Sequence, residues 1–537
     1  MADRGSRLET SSHYDTIILG AGISGLACAT RLLEAAVQGD DGRRLRVLEA
    51  RTRIGGRIES VNVQGWRLDT GPNWIHGEGS ARRSNPLTQI LPQKRCRPMR
   101  GSALFQAPQD NPIRTWCGPQ DPGNHTQPMT PPPSPALHNG SSCPPSAAAM
   151  ILSSVQQAIG EVQDLAMAVA ASEAKHTSVL RALWNTRAFQ DAFDTVPDQY
   201  HHTLAALFQG IESMEAAPLA AHTGELQRPE SAPGVGLLEY AVDAYDGEDV
   251  FLQDGYAAVV EELARPLVEH GAIELDTIVT RIDWTENPIV VETSRGAFTA
   301  AEVVCTFPLG VLKDSCRDAL FTPTLPTEKQ EAVDSLGFGT LDKIFAIYSS
   351  PWWNHEPHKS ILKGHMFHAQ AAGDEEMPDS FLGFTSELDG ISVGRDGDSF
   401  PGVYRLPILN LHSLTGQPIL SAFVSCKSAA KVELMEDDEV AEMFHRTIAQ
   451  WFGSEPPRPD CVHVTRWAQD PYSRGAYSHM ITNLSEPSQR GSLQEPVMNG
   501  KGSTLWFAGE HCSREHFAMV HGALLDGWRV ADTILQK

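Results

Sequence analysis

Residues 15–57 have the sequence DTIILGAGISGLACATRLLEAAVQGDDGRRLRVLEARTRIGGR. The stretch begins with a short apolar run rich in β-branched residues, which is typical of a buried parallel strand. Glycines follow directly, apolar residues then recur at helical spacing, and a second apolar run ends at Glu49. This order of strand, glycine turn, helix, strand and acid predicts a dinucleotide-binding βαβ unit in an α/β protein.

The three glycines and the acid have separate roles in such a unit. Gly20 makes the tight turn, Gly22 lets the backbone approach a pyrophosphate, and Gly25 lets helix and sheet pack closely. The helix N-terminus then faces the phosphates. Glu49 is placed to accept hydrogen bonds from ribose hydroxyls, which disfavours the 2′-phosphate of NADP and leaves NAD and FAD open.

The segment EARTRIGGR (49–57) adds a glycine pair and two basic residues, Arg51 and Arg57, directly after the acid. Such a turn would bring backbone amides and Arg57 to the pyrophosphate of a long, extended cofactor. The alternative is a surface turn with solvated arginines.

The chain has 537 residues, enough for two or three domains, with 41% hydrophobic and 20% charged residues. Its formal net charge of −24 argues against binding nucleic acid through the whole surface and would suit a cationic substrate. We recognise no signal peptide, membrane span or Ser-Lys-Leu type C-terminus, so a cytoplasmic location is the default, with a peroxisomal one left open. The nine cysteines form no C-x-x-C pair, so we expect reduced thiols and no metal site.

Further motifs lie across the chain in a fixed order. Besides 15–57 they are LDTGPNWIHG (68–77), VTRIDW (279–284), VVCTFPLGVLK (303–313), LGFGTLDKIF (336–345), RWAQDPYSRGAYSH (466–479) and LWFAGEHCSREHFAMVHGALLDGWRVA (505–531). In this combination the chain resembles the flavin-containing amine oxidase family from end to end, and polyamine oxidases within it.

The resemblance implies an α/β fold with amine oxidase/p-hydroxybenzoate hydroxylase-like architecture. A discontinuous, Rossmann-like FAD-binding domain would comprise 14–90, 241–330 and 456–537, and an α+β substrate-binding domain would comprise 91–240 and 331–455. Residues 1–13 would be a flexible N-terminus. Residues 106–146, rich in Pro and Ser, indicate a disordered insertion in the substrate-binding domain.

By the resemblance, Lys343 in GTLDKIFAIY is the catalytic lysine that holds a water against the flavin. Burial would lower the pKa of this lysine and let it relay protons. The alternative is a strand lysine whose ammonium reaches solvent.

The segment PYSRGAYSH bears on flavin attachment and on the substrate cage. Where monoamine oxidases have a cysteine bonded to the flavin, this chain has Ala476, which implies non-covalent FAD. Tyr477 then resembles one wall of the aromatic cage, although it would also suit a core position. Met519 stands where monoamine oxidases have a second aromatic residue, and this departure disfavours a monoamine substrate.

His76 in NWIHG resembles the polyamine oxidase pattern and would hydrogen-bond a substrate amine, unless it is a structural histidine. The remaining cofactor-binding residues implied by the resemblance are Gly71, Asn73, Trp74, Val279, Trp467, Glu510 and Val520. The acids Glu248, Asp249 and Asp254 would line a tunnel for a cationic substrate or form a solvated loop.

The leading hypothesis is therefore an FAD-dependent polyamine oxidase with oxygen as electron acceptor. It would oxidise spermine, spermidine or an N-acetylated form at a carbon next to a secondary amine, giving an aldehyde, a shorter amine and hydrogen peroxide. The alternatives are a histone lysine demethylase-like enzyme, another amine oxidase, or a flavoprotein without turnover. We expect a small cationic polyamine and oxygen as partners, with no nucleic acid and no membrane, and the oligomeric state is open.

Overall fold

A computed structural model describes the protein over most of its length. The described residues are 12–39, 42–80, 83–90, 96–98, 114–116, 145–169, 171–198, 235–240, 245, 250–252, 254–314, 316–358, 381–384, 408–452 and 455–537.

The strands are numbered in chain order. They are β1 (Ser12–Leu19), β2 (Leu45–Leu48), β3 (Ser60–Val63), β4 (Trp66–Asp69), β5 (Trp74–Ile75), β6 (Cys96–Pro98), β7 (Arg114–Trp116), β8 (Val250–Leu252), β9 (Ile273–Glu274), β10 (Val279–Asp283), β11 (Ile289–Thr293), β12 (Gly296–Cys305), β13 (Phe321–Thr322), β14 (Gly337–Gly339), β15 (Leu341–Ile347), β16 (Phe381–Phe384), β17 (Ile408–Asn410), β18 (Ile419–Ser425), β19 (Cys461–Val464), β20 (Tyr477–His479), β21 (Val497–Met498) and β22 (Thr504–Phe507).

The α-helices follow the same rule, and short 3₁₀ turns lie at Leu237–Tyr240, Trp352–Asn354 and Glu510–Cys512. The helices are α1 (Ile23–Gly39), α2 (Leu87–Ile90), α3 (Pro145–Ala168), α4 (Ala171–Ala174), α5 (Val179–Trp184), α6 (Arg187–Thr195), α7 (Ala257–Glu269), α8 (Leu309–Leu312), α9 (Arg317–Leu320), α10 (Thr327–Ser335), α11 (Leu411–Thr415), α12 (Cys426–Val432), α13 (Asp437–Phe452), α14 (Pro487–Gln494) and α15 (Val520–Leu535).

The largest sheet has β1 at its centre. Strand β1 runs parallel to β2 on one side and to β12 on the other, and β22 lies parallel beyond β12. Ile17 and Leu19 face one hydrophobic cluster, whereas Ile18 faces another that includes α1, α7 and α15. Burial on both faces explains why the strand sequence is continuously apolar. The predicted βαβ unit of an α/β, Rossmann-like domain is confirmed.

A second sheet carries the strand that contains Lys343. Its order is β19-β15-β18-β17-β16-β7, and β15 pairs antiparallel with both β18 and β19. Ile344, Phe345 and Ile347 are buried in the hydrophobic cluster of this sheet. Lys343 and Asp342 are buried as well, although they are charged residue types in a β-strand.

Some predictions fall on parts that the structure does not describe. Residues 1–11 lie outside the described residues, as does most of the predicted insertion 106–146. Within that insertion, 114–116 form β7, which pairs with β16, and α3 begins at Pro145. The proposed division into two domains stays a prediction. Among the described helices, none has the length and apolar character needed to cross a lipid bilayer.

Candidate active site

One cavity of about 750 Å³ extends from the glycine turn after β1 to Lys343 on β15. This volume is in the range of small-molecule and cofactor sites. The predicted site residues that line it are Gly20, Gly22, Glu49, Arg51, Arg57, Gly71, Asn73, Trp74, His76, Val279, Lys343, Trp467, Tyr477, Glu510, Met519 and Val520. Gly25 does not line the cavity, because it lies beneath the turn where α1 contacts β1.

The glycine turn is built for close backbone approach. Gly20 has φ +106°, a conformation that favours glycine. A Cβ at Gly25 would overlap the carbonyl oxygen of Gly20, whereas a Cβ at Gly22 would meet no atom within 4 Å. The backbone at Gly22 therefore faces open space in the cavity, where a phosphate group has room to approach.

Glu49, at the end of β2, accepts two backbone hydrogen bonds. Its Oε2 accepts from the amide of Ala21 at 2.7 Å and its Oε1 from the amide of Arg51 at 2.8 Å. Each oxygen keeps further lone-pair capacity toward the cavity, so the predicted contact with ribose hydroxyls remains chemically open. Sequence reasoning missed that this acid also fixes the glycine turn.

The two predicted arginines are both paired, so the alternative of solvated arginines is wrong. Arg51 donates to both carboxylate oxygens of Asp470, at 2.7 and 3.0 Å. Arg57 donates to the carbonyl of Ala476 at 2.6 Å and to Glu510 at 3.1 Å. These pairs fix the 470–477 segment against the turn that follows β2.

Glu510 is a buried, ionised acid. Its carboxylate accepts from Arg57, from the hydroxyl of Ser478 at 2.6 Å and from the amide of Ala518 at 3.0 Å. Burial alone would raise the pKa of Glu510, but the charge of Arg57 and the hydrogen bond from Ser478 outweigh it and lower the pKa to about 2. Glu510 therefore supplies a fixed negative charge beside the cavity.

Lys343 is 6% exposed, and its side chain reaches back to the strand-to-loop segment after β4. Its Nζ donates to the carbonyl of Asp69 at 3.1 Å, and also to the carbonyl of Gly71 and the side-chain oxygen of Asn73. Burial lowers the pKa of Lys343 to about 7, and the nearby Asp69 opposes this change. The alternative of a lysine whose ammonium reaches solvent is wrong, because all three hydrogen bonds are internal.

The cavity lining also contains side chains that sequence reasoning missed, namely Phe423, Phe517, Glu239 and His521. The Phe423 ring lies 5.5 Å from Nζ of Lys343. His521 lies in the first turn of α15, and burial lowers its pKa to about 3, helped by neighbouring positive groups. Its imidazole is therefore neutral.

The sequence carries a clear signal for His521 and only a weak one for Glu239. His521 directly follows Met519 and Val520, so its place at a helix N-terminus was a usable signal. Glu239 lies in the 3₁₀ turn Leu237–Tyr240 and accepts a hydrogen bond from the amide of Met480 at 2.7 Å. A lone acid within the apolar run VGLLEYAV was its only sequence signal.

Of the three acids predicted to line a substrate tunnel or to form a solvated loop, the structure describes only Asp254. Glu248 and Asp249 lie outside the described residues. Asp254 is exposed and does not line the cavity, because it lies in the outward-facing turn before Gly255 and α7. For Asp254 the exposed position fits the alternative of a solvated loop, and an acid that does line the cavity is Glu239.

Known families match both parts of this arrangement. Residues 176–535 match the family described as flavin containing amine oxidoreductase, and residues 18–89 match the NAD(P)-binding Rossmann-like domain. Because the first match covers more than half of the chain, the protein belongs to the flavin-containing amine oxidoreductase family. It is an FAD-dependent amine oxidase.

Individual relatives resemble the chain over different lengths. Peroxisomal N(1)-acetyl-spermine/spermidine oxidase of Homo sapiens is 26% identical, with 100% of this chain and 97% of that protein covered. Lysine-specific histone demethylase 1 homolog 2 of Arabidopsis thaliana is 31% identical over 301 residues, which cover 55% of this chain and 34% of that protein. The solved structure of putrescine oxidase bound to putrescine has a TM-score of 0.60 at 18% identity, covers 98% of this chain and 100% of its own, and shows the same fold.

The residues present fit FAD. The open space above Gly22 and the free lone pairs of Glu49 suit a pyrophosphate and a ribose at one end of the cavity. Arg57 also lines the cavity, where it pairs with Glu510 at 3.1 Å. Ala476, which lines the cavity, has no nucleophile with which to bond a flavin covalently.

Proposed function

We propose that this amine oxidase acts on a polyamine, namely spermine, spermidine or an N-acetylated form. The reaction removes a hydride from a carbon next to a secondary amine to give an imine, which water hydrolyses to an aldehyde and a shorter amine, while oxygen is reduced to hydrogen peroxide. When bound, FAD supplies the acceptor for the hydride, and oxygen accepts the electrons in turn.

The observation that carries this proposal is the position of Glu239. Among the described residues, three carboxylates line the cavity: Glu49, Glu239 and Glu510. Glu49 and Glu510 hold backbone amides and Arg57 at the cofactor end. Glu239 is 8% exposed, accepts from the amide of Met480, and its charge acts on the buried guanidinium of Arg490; we propose that it attracts the cationic groups of a substrate as well.

The aromatic side chains complete a cation site. Tyr477, Phe423 and Phe517 line the same cavity as Glu239. The Phe423 ring lies 5.5 Å from Nζ of Lys343 and the Phe517 ring 3.8 Å from the guanidinium of Arg490, so we propose Tyr477 as the ring that attracts a substrate ammonium. A substrate with several amines can therefore place one ammonium at Glu239 while another amine lies near Lys343. A monoamine has no second charge for Glu239, which is why a polyamine suits this cavity better.

Lys343 and the histidines provide proton chemistry and orientation. With its pKa near 7, Lys343 is part neutral at physiological pH and can give or take a proton. His76 and the neutral His521 can hydrogen-bond an uncharged amine nitrogen. We propose Lys343 as the catalytic residue and His76, Tyr477 and Met519 as substrate contacts.

The experiment is an anaerobic titration of the purified holoenzyme with spermine, spermidine and their N-acetyl forms, followed through the visible flavin spectrum. Bleaching by one of these amines supports the proposal. A dimethyl-lysine histone H3 peptide is the second arm, because a histone demethylase relative matches just over half of the chain. Bleaching by the peptide alone would replace the polyamine proposal with the demethylase one.

A further inference from the structure

Two acids, Asp342 and Glu433, are buried together behind the cavity wall. Asp342 on β15 is 0% exposed, and Glu433, which follows α12, is 5% exposed. Their carboxyl groups converge on one turn, where Asp342 accepts from the amide of Trp467 and Glu433 from those of Ala468 and Gln469. Among the described residues, no N–H or O–H group donates to Oδ2 of Asp342. Two buried carboxylates that converge in this way repel each other when both are ionised, which favours one proton held between them.

The other carboxylate oxygen of Asp342 holds the chain that enters the cavity after β19. Its Oδ1 accepts from the hydroxyl of Thr465 at 2.7 Å and from the amide of Trp467 at 3.1 Å. Trp467 is buried and lines the cavity. The position of the Trp467 backbone therefore depends directly on the Asp342 side chain.

Glu433 holds the next part of the same turn. Its two carboxylate oxygens accept from the amides of Ala468 at 2.8 Å and Gln469 at 3.1 Å. Its backbone carbonyl also accepts from the side chains of Gln469 and Arg466. The two acids thus bind all three consecutive amides from Trp467 to Gln469, which restricts the motion of this turn.

The same cluster also fixes the strand at Lys343. The amide of Lys343 donates to the hydroxyl of Thr465 at 2.8 Å, and the amide of Thr465 donates to the carbonyl of Lys343 at 3.0 Å. Successive residues of a strand point to opposite faces of its sheet. On β15, Asp342 therefore binds the Thr465 hydroxyl on the face away from the cavity, while Lys343 points into the cavity. Trp467 and Lys343 are therefore positioned by one hydrogen-bonded unit.

We propose that Asp342 and Glu433, joined by one shared proton, form a positioning unit that sets Trp467 and Lys343 relative to each other in the cavity. Neither acid lines the cavity, so their effect is exerted through the turn and the strand that they hold. Burial, reinforced by the negative charge of Glu433, raises the pKa of Asp342 to about 8. The other charged groups nearby are Lys343 and the pair formed by Arg466 and Asp437 at 2.7 Å.

Infrared spectroscopy of the holoenzyme tests the shared proton. At pH 7 we expect a carboxylic-acid C=O band in the wild type that is lost in Asp342→Asn. Asp437→Asn is the matched control, since Asp437 is a half-exposed partner of Arg466 in the same region, and the band should persist there. Absence of the band from the wild type, or its persistence in Asp342→Asn, would overturn the proposal.

The positioning role is tested by comparing Asp342→Asn with Asp342→Ala. Asparagine reproduces the protonated acid, because its oxygen can accept from Thr465 and Trp467 while its amide donates to Glu433. We expect the visible circular dichroism of bound FAD to be retained in Asp342→Asn and altered in Asp342→Ala. Equal spectra in wild type and both variants would contradict the role, as would an equal change in both variants.

Discussion

The two ends of the cavity use charge in opposite ways. At the cofactor end, Glu510 stays ionised with a pKa of about 2, and Arg57 pairs with it at 3.1 Å. At the far end, burial lowers the pKa of Lys343 to about 7 and that of His521 to about 3. The cofactor end therefore relies on an ion pair, whereas the far end combines the proposed charge of Glu239 with a lysine and a histidine near or in their neutral forms.

This difference matches the chemistry that each end must perform. A dinucleotide carries permanent charges and hydroxyl groups, which backbone amides and ionised side chains bind without any proton transfer. Oxidation of an amine requires an uncharged nitrogen and groups that can exchange protons near neutral pH. Substitutions at the two ends should consequently separate cofactor retention from turnover.

Gly25→Ala should break the cofactor end and give the largest effect. Its Cβ would overlap the Gly20 carbonyl, so α1 must move from β1, and the loss of stability should reach or exceed the upper end of about 1–3 kcal/mol for overpacking. We expect FAD to be lost, as measured by the flavin-to-protein absorbance ratio after gel filtration. Gly39→Ala in the same helix is the control, since its Cβ would meet no atom within 4 Å. Stoichiometric FAD in Gly25→Ala would contradict this account.

Lys343→Met should leave the cofactor end intact and slow turnover by about 10²-fold or more. Because the pKa of Lys343 is about 7, the neutral amine forms as the pH rises through 7, and the wild-type pH profile should show an ionisation there that the variant lacks. Stopped-flow measurement of flavin reduction and reoxidation checks both points. Lys501→Met, at an exposed surface pair, is the control. Wild-type turnover in Lys343→Met would exclude the proposed role.

The cofactor end was largely predictable because its signals are local. Gly20, Gly22, Gly25 and Glu49 lie within one βαβ unit, where the spacing itself reflects the geometry. The sequence did not show that the Glu49 side chain would bind the Ala21 amide, since that contact depends on how the turn folds back. The FAD assignment came from motifs spread over the whole chain.

The far end was predictable only in part because it is assembled from distant segments. Lys343, His76 and Tyr477 came from the family resemblance, and no spacing rule joins them. Glu239 was missed, since a single acid in a short turn carries no pattern. The pairing of Asp342 with Glu433 was also missed, because burial of an acid is decided by tertiary packing that local sequence does not report.

Glu239→Gln should weaken substrate binding without affecting the cofactor end. Removing the charge from this buried acid should raise KM for spermine by about tenfold, equivalent to about 1.4 kcal/mol, with FAD content unchanged. Steady-state oxygen consumption measures the effect. Asp254→Asn is the control because Asp254 is exposed and outside the cavity. An unchanged KM in Glu239→Gln would mean that the ammonium group binds elsewhere.

Asp342→Asn should have the smallest effect of these substitutions. It extends the comparison of the two ends, because Asp342 is an acid held neutral behind the far end of the cavity. The pKa of Asp342 is raised from 3.8 to about 8 in the folded protein, so between these values the folded state binds more protons than the unfolded state. Wild-type stability from this group is therefore present below pH 4 and is lost as the pH rises toward 8. Asparagine does not titrate, so the melting temperature of the wild type should fall by a few degrees relative to Asp342→Asn between pH 5 and pH 8, and then level off. If the melting temperatures of the two proteins changed in parallel over this pH range, Asp342 would be ionised in the folded protein. Neutral titratable groups would then be limited to those that line the cavity.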